Sequence, residues 1–323
     1  MAVLIDPPRW PAHGTVFSHL VSDVSLAELH AFATRAGVPW RAFDHDHYDV
    51  PRRLYADLVA LGAEPVRETE LIRRLLASGL RVRGPARAPK RAAVVPGLVA
   101  AWEETLPGAA GIGDELLRHW MQEHRHYHDV RHLAFVLDRL ADLDAGPSAR
   151  PTVLAAWFHD AVHDGADGDD EQASARLAER LLPGLVPTAE VAEVARLVRL
   201  TATHDPGPAD AAGALLSDAD LAILAVVPGR YDVYVRDVRL EYPDLPEERW
   251  RAGRLAVLDR LLDRDRLFRT AAGHELWEAA ARDNLARERD FWSGPHRAPS
   301  ARKLAEIGRN PAVSERSAEP GAS

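Results

Sequence analysis

The chain has 323 residues, of which 46% are hydrophobic and 28% charged, a composition typical of a globular protein of about two domains. It contains no cysteine, which excludes disulfides, iron–sulfur clusters, thiolate zinc sites and cysteine nucleophiles, so a transition metal would need histidine and carboxylate ligands. No apolar run approaches the roughly 18 residues of a membrane helix, and the N-terminus lacks the features of a signal peptide. We therefore expect a soluble, cytoplasmic protein without a membrane partner.

The net charge of −9 is unevenly distributed along the chain. Residues 1–83 are neutral overall, whereas residues 101–323 contain 27 basic and 39 acidic side chains. An acidic domain repels a polyanionic backbone, so nucleic acid is disfavoured as a partner. The sequence gives no indication of the oligomeric state.

The first 83 residues predict a small α/β domain. Its predicted elements, in chain order, are a strand at 2–6, a helix from Ser25 to Gly37, a strand at Trp40–Phe43, and helices at 53–61 and 69–80. Ser25 is a typical N-cap residue with a glutamate three positions later, and Gly37 is a typical helix stop.

Residues 84–100 are rich in proline and contain no acidic residue, so they predict a linker. From there apolar residues recur at helical spacing, which predicts an all-α domain of roughly eight helices at 101–292. Residues 293–323 are rich in Pro, Ser, Gly and Arg and predict a disordered tail. The predicted fold class is mainly α, an all-α helical bundle preceded by a small α/β domain.

Histidines are concentrated in the segment HWMQEHRHYHDVRH, which ends at His132. His128 and His132 are four residues apart and would share one face of a helix, close to the start of an apolar stripe. Exposed histidines are common, so the cluster alone does not define a site. Two imidazoles near a core nevertheless need polar partners.

A second group of polar residues interrupts an apolar helical segment. The sequence LAAWF is followed directly by His159 and Asp160, with His163 one turn later. Imidazole and carboxylate suit Mn, Fe, Co, Ni, Zn or Mg, and an aspartate beside a histidine can bridge two ions. The alternative is a buried His–Asp pair that is hydrogen-bonded at a helix end.

Two aspartates, Asp218 and Asp220, precede the apolar segment LAIL. An aspartate at a helix start is a common N-cap, so either residue has a structural alternative to a role in a site. His204 ends another helical segment, where a cation is favoured by the helix dipole whether or not it belongs to a site.

The order His, His-Asp, Asp resembles the HD superfamily of metal-dependent phosphohydrolases. Residues Tyr127 to His132 are similar to the YHNxxH signature of the cyclic-nucleotide phosphodiesterase branch, although Asp129 replaces its asparagine and no purine-clamp glutamine is recognisable. Further segments resemble an uncharacterised bacterial subfamily of predicted HD-type phosphohydrolases over roughly 113–290, namely AAWFHDAVHD, DDEQASA, DADLAIL and VRLEY.

This resemblance implies a role for each matching residue. The first metal would be held by His132, His159, Asp160 and Asp218. His128 would be the general acid, with an exchange of roles between His128 and His132 as the alternative. Asp160 would also bridge to a second ion.

Further residues are secondary candidates. They are His163 in the shell of a second metal, His204, Asp220, and Glu171 as a residue that orients water. Arg125 and Arg131 are candidates to offset phosphoryl charge. Glu171 has an alternative as an exposed carboxylate at a helix start.

The implied activity is hydrolysis of a phosphoester, in a nucleotide or another small phosphorylated metabolite, by water activated with one or two divalent metal ions. A non-catalytic protein that binds metal or nucleotide and regulates a response is the alternative.

The N-terminal domain resembles the DUF4031 type, a small bacterial domain of unknown function. Within it, Asp6 and the segment DHDHYD at 44–49 suggest a polar or metal-binding site, with turn formation and surface histidines as the alternative. A nuclease-like role for this domain is a third interpretation, which the lack of basic patches disfavours.

Overall fold

The computed structural model describes residues 2–143, 150–164 and 169–294. The chain divides into two compact units, one extending up to Leu80 and one running from Arg81 to Ser293. The second unit is helical and the first combines a small sheet with helices, which confirms the predicted fold class. The disordered tail predicted at 293–323 lies, beyond Gly294, outside the described residues.

The first unit combines short strands and short helices. In chain order these are β1 Val3–Ile5, β2 Trp10–Ala12, β3 Thr15–Ser22, α1 Leu26–Ala36, β4 Phe43–Asp44, β5 His47–Pro51, α2 Tyr55–Ala60, β6 Glu64–Pro65 and α3 Glu68–Ala77. The strands form one sheet in the order β4-β5-β3-β1-β6, with β2 also paired to β3. The β1–β6 pair is parallel and the other pairs are antiparallel.

A small apolar core holds this sheet to α3. Leu71 and Leu75 of α3 are buried against Leu4 of β1 and Val21 of β3. Side chains alternate between the two faces of a strand, so these contacts define which face of β3 packs on α3.

The predicted helix after Ser25 is confirmed in detail. The Ser25 side chain accepts a hydrogen bond from the backbone N–H of Glu28, and Gly37 ends α1 in the left-handed conformation with φ 70°. The strand predicted at Trp40–Phe43 is wrong except at Phe43, which begins β4, because Trp40–Ala42 forms a 3-10 turn closed by a hydrogen bond from Ala42 N–H to the carbonyl of Pro39. The aromatic sequence suggested a strand, but Trp40 instead stacks on His30.

The second unit contains ten helices within its described residues, two more than predicted. They are α4 Arg91–Thr105, α5 Ala110–Trp120, α6 Val130–Asp142, α7 Arg150–Phe158, α8 Asp169–Leu181, α9 Thr188–Leu200, α10 Ala211–Leu221, α11 Pro228–Leu240, α12 Glu247–Leu262 and α13 Ala271–Ser293.

The additional helices, α4 and α8, were not among the eight predicted, although a helix start at Glu171 was considered. Helix α4 occupies the second half of the segment predicted as a linker and includes Pro96, yet it buries Leu98 and Trp102. Helix α8 packs through small residues such as Ser174 and Ala178 rather than through a stripe of large apolar side chains.

Three helices meet at the centre of this unit. Helices α6, α7 and α10 contact one another pairwise, and the buried Trp120 from α5 donates a hydrogen bond from its indole N–H to the carbonyl of Trp157 in α7 at 3.0 Å. The polar ends of α6, α7 and α10 are therefore brought together by an apolar core.

Across the described ranges, no single helix is both long and apolar enough to cross a membrane. One helix pair, Ala211–Ala225 with Pro228–Leu240, meets the length and composition criteria together but is bent by 108°.

Two glycines of α5 provide a matched test of this packing. A Cβ on Gly113 would lie 2.4 Å from the buried Trp102 ring, whereas a Cβ on Gly111 would meet no atom within 4 Å. We expect Gly113→Ala to lower the free energy of unfolding by about 1–3 kcal/mol because the tryptophan must shift. Gly111→Ala should be neutral or stabilising by up to about 1 kcal/mol. Urea denaturation followed by circular dichroism measures both, and equal midpoints for the two variants would contradict the packing.

Candidate metal centre

Four side chains converge where α6, α7 and α10 meet, and we call them the buried His–Asp cluster: His132, His159, Asp160 and Asp220. The Nε2 atoms of His132 and His159 are 3.1 Å apart. Asp220 Oδ1 lies 3.1 Å from His132 Nε2, and Asp160 Oδ2 lies 3.2 Å from His159 Nε2. Both imidazoles are buried and both carboxylates are partly exposed, so two nitrogen and two oxygen ligand atoms face one another at the edge of the core.

Each member is positioned by the end of a helix. His132 lies in the first turn of α6, whose N-cap is Asp129, and His159 and Asp160 follow α7 directly. His128 precedes the N-cap, so the prediction that it shares a helix face with His132 is wrong. The rings of His128 and His132 still lie close, with 5.6 Å between their centroids.

Hydrogen bonding fixes the tautomer of His159. Its Nδ1 lies 2.8 Å from the carbonyl oxygen of Ala156, which can only accept, so Nδ1 carries the proton. In the neutral ring the Nε2 lone pair then points into the cluster, as required of a metal ligand. Nδ1 of His132 is buried without a hydrogen-bond partner among the described residues.

The charges of the cluster are strongly coupled. Desolvation acts to lower the pKa of His159, but attraction by Asp160 and Asp220 outweighs it and raises that pKa to about 9. Desolvation lowers the pKa of the neighbouring His132. Burial acts to raise the pKa values of both aspartates, but attraction by His159 holds them well below their usual range. The two carboxylates thus favour a proton on His159, and a divalent cation would displace it.

Asp218, which the resemblance implied as a ligand, lies outside the cluster. Its carboxylate accepts hydrogen bonds from the backbone N–H groups of Arg269 and Thr270 and from the Thr270 hydroxyl, each at 2.7 Å. Residues two apart on an α-helix point about 200° apart, so Asp218 and Asp220 face nearly opposite sides of α10. The N-cap role considered as the alternative for these aspartates is also wrong, because both lie near the end of α10, which Asp210 caps.

His204 lies beside the cluster, just after the end of a helix, where its backbone N–H donates to the carbonyl of Leu200. Helix α9 ends at Leu200, and His204 adopts a left-handed conformation with φ 48° in the following loop. Its Nε2 is 2.7 Å from the second carboxylate oxygen of Asp220. His204 therefore orients Asp220, and Arg264 in turn donates to the carbonyls of Thr203 and His204.

A second group, the His–Glu group, consists of His128, His163 and Glu241. Glu241 Oε2 is 2.6 Å from His128 Nδ1 and 3.4 Å from His163 Nε2. Ligand atoms of all three lie within 4.8 Å of one another, close enough for a second cation. Sequence reasoning missed Glu241, and its only signal was its place in the segment VRLEY.

Glu241 also organises the loop before α6. Its Oε1 accepts hydrogen bonds from the consecutive backbone N–H groups of His126, Tyr127 and His128, at 2.8, 2.7 and 2.9 Å. Although burial acts to raise the pKa of Glu241, attraction by His128 lowers it strongly, so the carboxylate stays charged.

Both groups open onto one cavity of about 280 Å³. Asp160 and Asp220 line it together with His128 and His163, and Arg260 and Arg264 line it from α12 and the loop that follows. Trp120 and Trp157 do not line it and belong to the core, whereas Tyr127 does line it.

Glu171 lines the same cavity from the first turn of α8. Desolvation raises the pKa of Glu171, and its Oε2 is buried without a hydrogen-bond partner in the described ranges. Glu171 is therefore placed to accept a hydrogen bond from a ligand in the cavity, and its role in orienting water stays a prediction.

The two arginines expected to contact phosphate have structural roles instead. Arg125 is fully buried, and its guanidinium donates to the carbonyls of His128, Asp160 and Ala161 at 2.9, 2.6 and 2.9 Å. Arg131 pairs with Asp129 at 2.8 Å. The cations that line the cavity are Arg260 and Arg264, which the sequence did not single out.

Loss of the Arg125 guanidinium would leave buried carbonyls without donors. We expect Arg125→Met to lower the free energy of unfolding of the helical unit by about 3–5 kcal/mol. Arg180→Met removes an exposed arginine that pairs with Glu115, and we expect a loss of less than about 1 kcal/mol. Urea denaturation compares the two, and a similar small loss for both would contradict the role given to Arg125.

Comparison with known proteins identifies a family for the first unit only. Residues 3–78 match the family described as "Protein of unknown function (DUF4031)", which confirms the expected N-terminal domain. No HD-superfamily family matches the chain. No curated protein and no solved structure matches it.

Proposed function

We propose that the helical unit is a metal-dependent phosphohydrolase that cleaves a phosphoester of a nucleotide or a small phosphorylated metabolite. The observation that carries this proposal is the convergence of His132, His159, Asp160 and Asp220 beside a cavity that also contains His128 and two arginines. The order of these residues along the chain supports it, with Asp220 in the place that the resemblance gave to Asp218.

The ligand set of the buried His–Asp cluster fits a divalent cation. Two imidazole nitrogens with two carboxylate oxygens suit Mn, Fe, Co, Ni or Zn, and Mg would depend more on the carboxylates. A bound cation would supply Lewis acidity, which polarises a phosphoryl oxygen and makes a water molecule more acidic. Within the cluster, the charge of Asp160 acts on both His159 and His128, so we assign to Asp160 the bridging role that the resemblance implied.

His128 is the proposed general acid. Glu241 engages its Nδ1, which leaves Nε2 as the ring nitrogen available to donate a proton to the leaving oxygen. Attraction by Glu241 outweighs desolvation and raises the pKa of His128, which favours the protonated form that an acid requires.

The cavity determines the proposed size and charge of the substrate. A volume of about 280 Å³ is at the small end for ligand sites, so a mononucleotide or a smaller phosphorylated metabolite fits better than a polymer. Arg264 is held by backbone carbonyls and Arg260 is exposed at the rim, and both offer positive charge to a phosphate.

Asp218 and Asp220, two residues apart on α10, give a direct test of the metal site. We expect Asp220→Asn to weaken the affinity of the helical unit for Mn²⁺ or Co²⁺ by at least about 10-fold, so that the chain retains less metal than the parent, because a charged ligand is lost. Asp218→Asn should retain the metal and lose thermal stability, because this side chain anchors the start of α13. Plasma mass spectrometry after dialysis against each ion, with circular dichroism as a fold control, measures both. If Asp218→Asn alone loses the metal, the assignment of Asp220 fails.

Turnover is tested with p-nitrophenyl phosphate, bis(p-nitrophenyl) phosphate and a panel of nucleotides, in the presence of Mn²⁺, Co²⁺ or Mg²⁺. We expect His128→Gln to lower kcat by about 10²–10⁴-fold while the metal of the buried His–Asp cluster stays bound. The matched control is His126→Gln, whose side chain is not among those lining the cavity and which should retain activity.

A metal-loaded, folded parent protein that turns over none of these substrates would reject the phosphohydrolase. The same cluster would then act in a regulatory protein that binds metal or nucleotide without catalysis. Binding of nucleotides measured by calorimetry on the same sample separates that alternative from loss of the site.

A further inference from the structure

We propose a second metal site, independent of the helical unit, on the sheet of the DUF4031 domain. Its ligands are His19, His47 and Asp49, which we call the sheet triad. Their candidate ligand atoms lie within 4.8 Å of one another. The chemical class of its ligand is a borderline divalent transition-metal ion such as Zn²⁺, Fe²⁺, Co²⁺ or Ni²⁺.

Strand pairing places the three side chains on one face of the sheet. In the antiparallel pair of β3 and β5, His19 is directly opposite Asp49. His47 lies two residues before Asp49 on β5, and side chains two apart on a strand point to the same face. Backbone hydrogen bonds of a sheet therefore position the triad, which is a more rigid support than a loop.

Each histidine is oriented by a separate buried carboxylate. Nδ1 of His19 lies 2.9 Å from Asp6 Oδ2, and Nδ1 of His47 lies 2.8 Å from Asp46 Oδ1. Both of these aspartates are buried. A carboxylate on Nδ1 fixes the ring and increases the basicity of Nε2, which is the usual arrangement behind a histidine that binds metal.

The remaining nitrogens converge on the third carboxylate. Nε2 of His47 is 3.5 Å and Nε2 of His19 is 4.0 Å from Asp49 Oδ1. These separations are longer than hydrogen bonds. They are close to the roughly 3.4 Å that separates two ligands held about 2.1 Å from one tetrahedral ion. The spacing thus suits a shared ion better than a direct hydrogen bond to Asp49.

The site is open on one side. Asp49 is about half exposed, with 48% of its side chain accessible, and His19 is 26% accessible, whereas His47 is largely buried. The Trp10 ring packs beside His19, with 5.2 Å between ring centroids. Two histidines and one carboxylate leave coordination positions for water or a small ligand, as in metal sites that bind a ligand rather than only stabilise a fold.

The test uses the full chain carrying Asp220→Asn, so that the helical cluster is weakened and the two sites are separable. Zn²⁺ binding is measured by calorimetry, and Co²⁺ binding by the visible absorption of the bound ion. We expect one equivalent to remain in this background. Adding His47→Ala or Asp49→Asn should weaken that binding by at least about 10-fold, and Asp46→Asn by about 10–100-fold.

The matched control is His13→Asn, which removes an exposed histidine of the same sheet at a left-handed position that asparagine tolerates. It should bind both ions as the Asp220→Asn background does. Circular dichroism verifies that each variant is folded. Because Asp49 is half exposed, Asp49→Asn should have little effect on the core. The proposal is overturned if the Asp220→Asn chain binds neither ion, or if Asp49→Asn and His13→Asn bind them equally. Neither result bears on phosphohydrolase activity, which is measured separately by the turnover of the parent chain.

Discussion

The candidate site of the helical unit depends on one buried guanidinium. Arg125 donates to the carbonyl of His128 in one loop and to those of Asp160 and Ala161 in another, and these loops are far apart in sequence. Desolvation lowers the pKa of Arg125, and the negative charges of Asp160 and Glu241 act against that shift. The Arg125 guanidinium thus fixes the backbone of the two loops that carry His128 and Asp160, and it offsets part of their acidic charge. It does not line the cavity itself.

Helix α10 shows how a single turn serves two purposes. Asp220 faces the histidines, while Asp218 faces the start of α13, where Gly273 allows the close approach because a Cβ there would lie 2.6 Å from its carboxylate. The same residue type, two positions apart, therefore stabilises a helix junction on one side and completes the cluster on the other. Burial raises the pKa of Asp218, while hydrogen bonds from Arg269 and Thr270 lower it, which is the balance expected of an anchoring carboxylate.

The sequence was sufficient for the fold class and for most members of the cluster, because apolar periodicity and the His-Asp pair are local signals. It predicted His132, His159 and Asp160 together, but placed the last aspartate two residues early. The order of residues in a motif does not show which side of a helix each residue faces, and positions 218 and 220 are both aspartate. Glu241 was missed because its role depends on a contact with His128, more than a hundred residues earlier in the chain.

Local composition also misled where tertiary packing overrides it. The prolines before Arg91 suggested a linker over the whole of 84–100. The residues from Arg91 onward instead form a helix that buries Trp102. In the DUF4031 domain, the segment DHDHYD contributes His47 and Asp49 to the sheet triad. His19 became part of that group only through the register of β3 with β5, which the sequence does not specify.

The three hydrogen bonds that Glu241 Oε1 accepts have a consequence for the motion of the loop at 126–128. Consecutive amides outside a helix usually exchange their protons with solvent readily, but here each is bound to one buried, charged oxygen. Opening the loop would break all three bonds together and leave that charge unsatisfied. The segment therefore behaves as a small cooperative unit attached to the end of α11, and a displacement of that helix end would carry His128 with it.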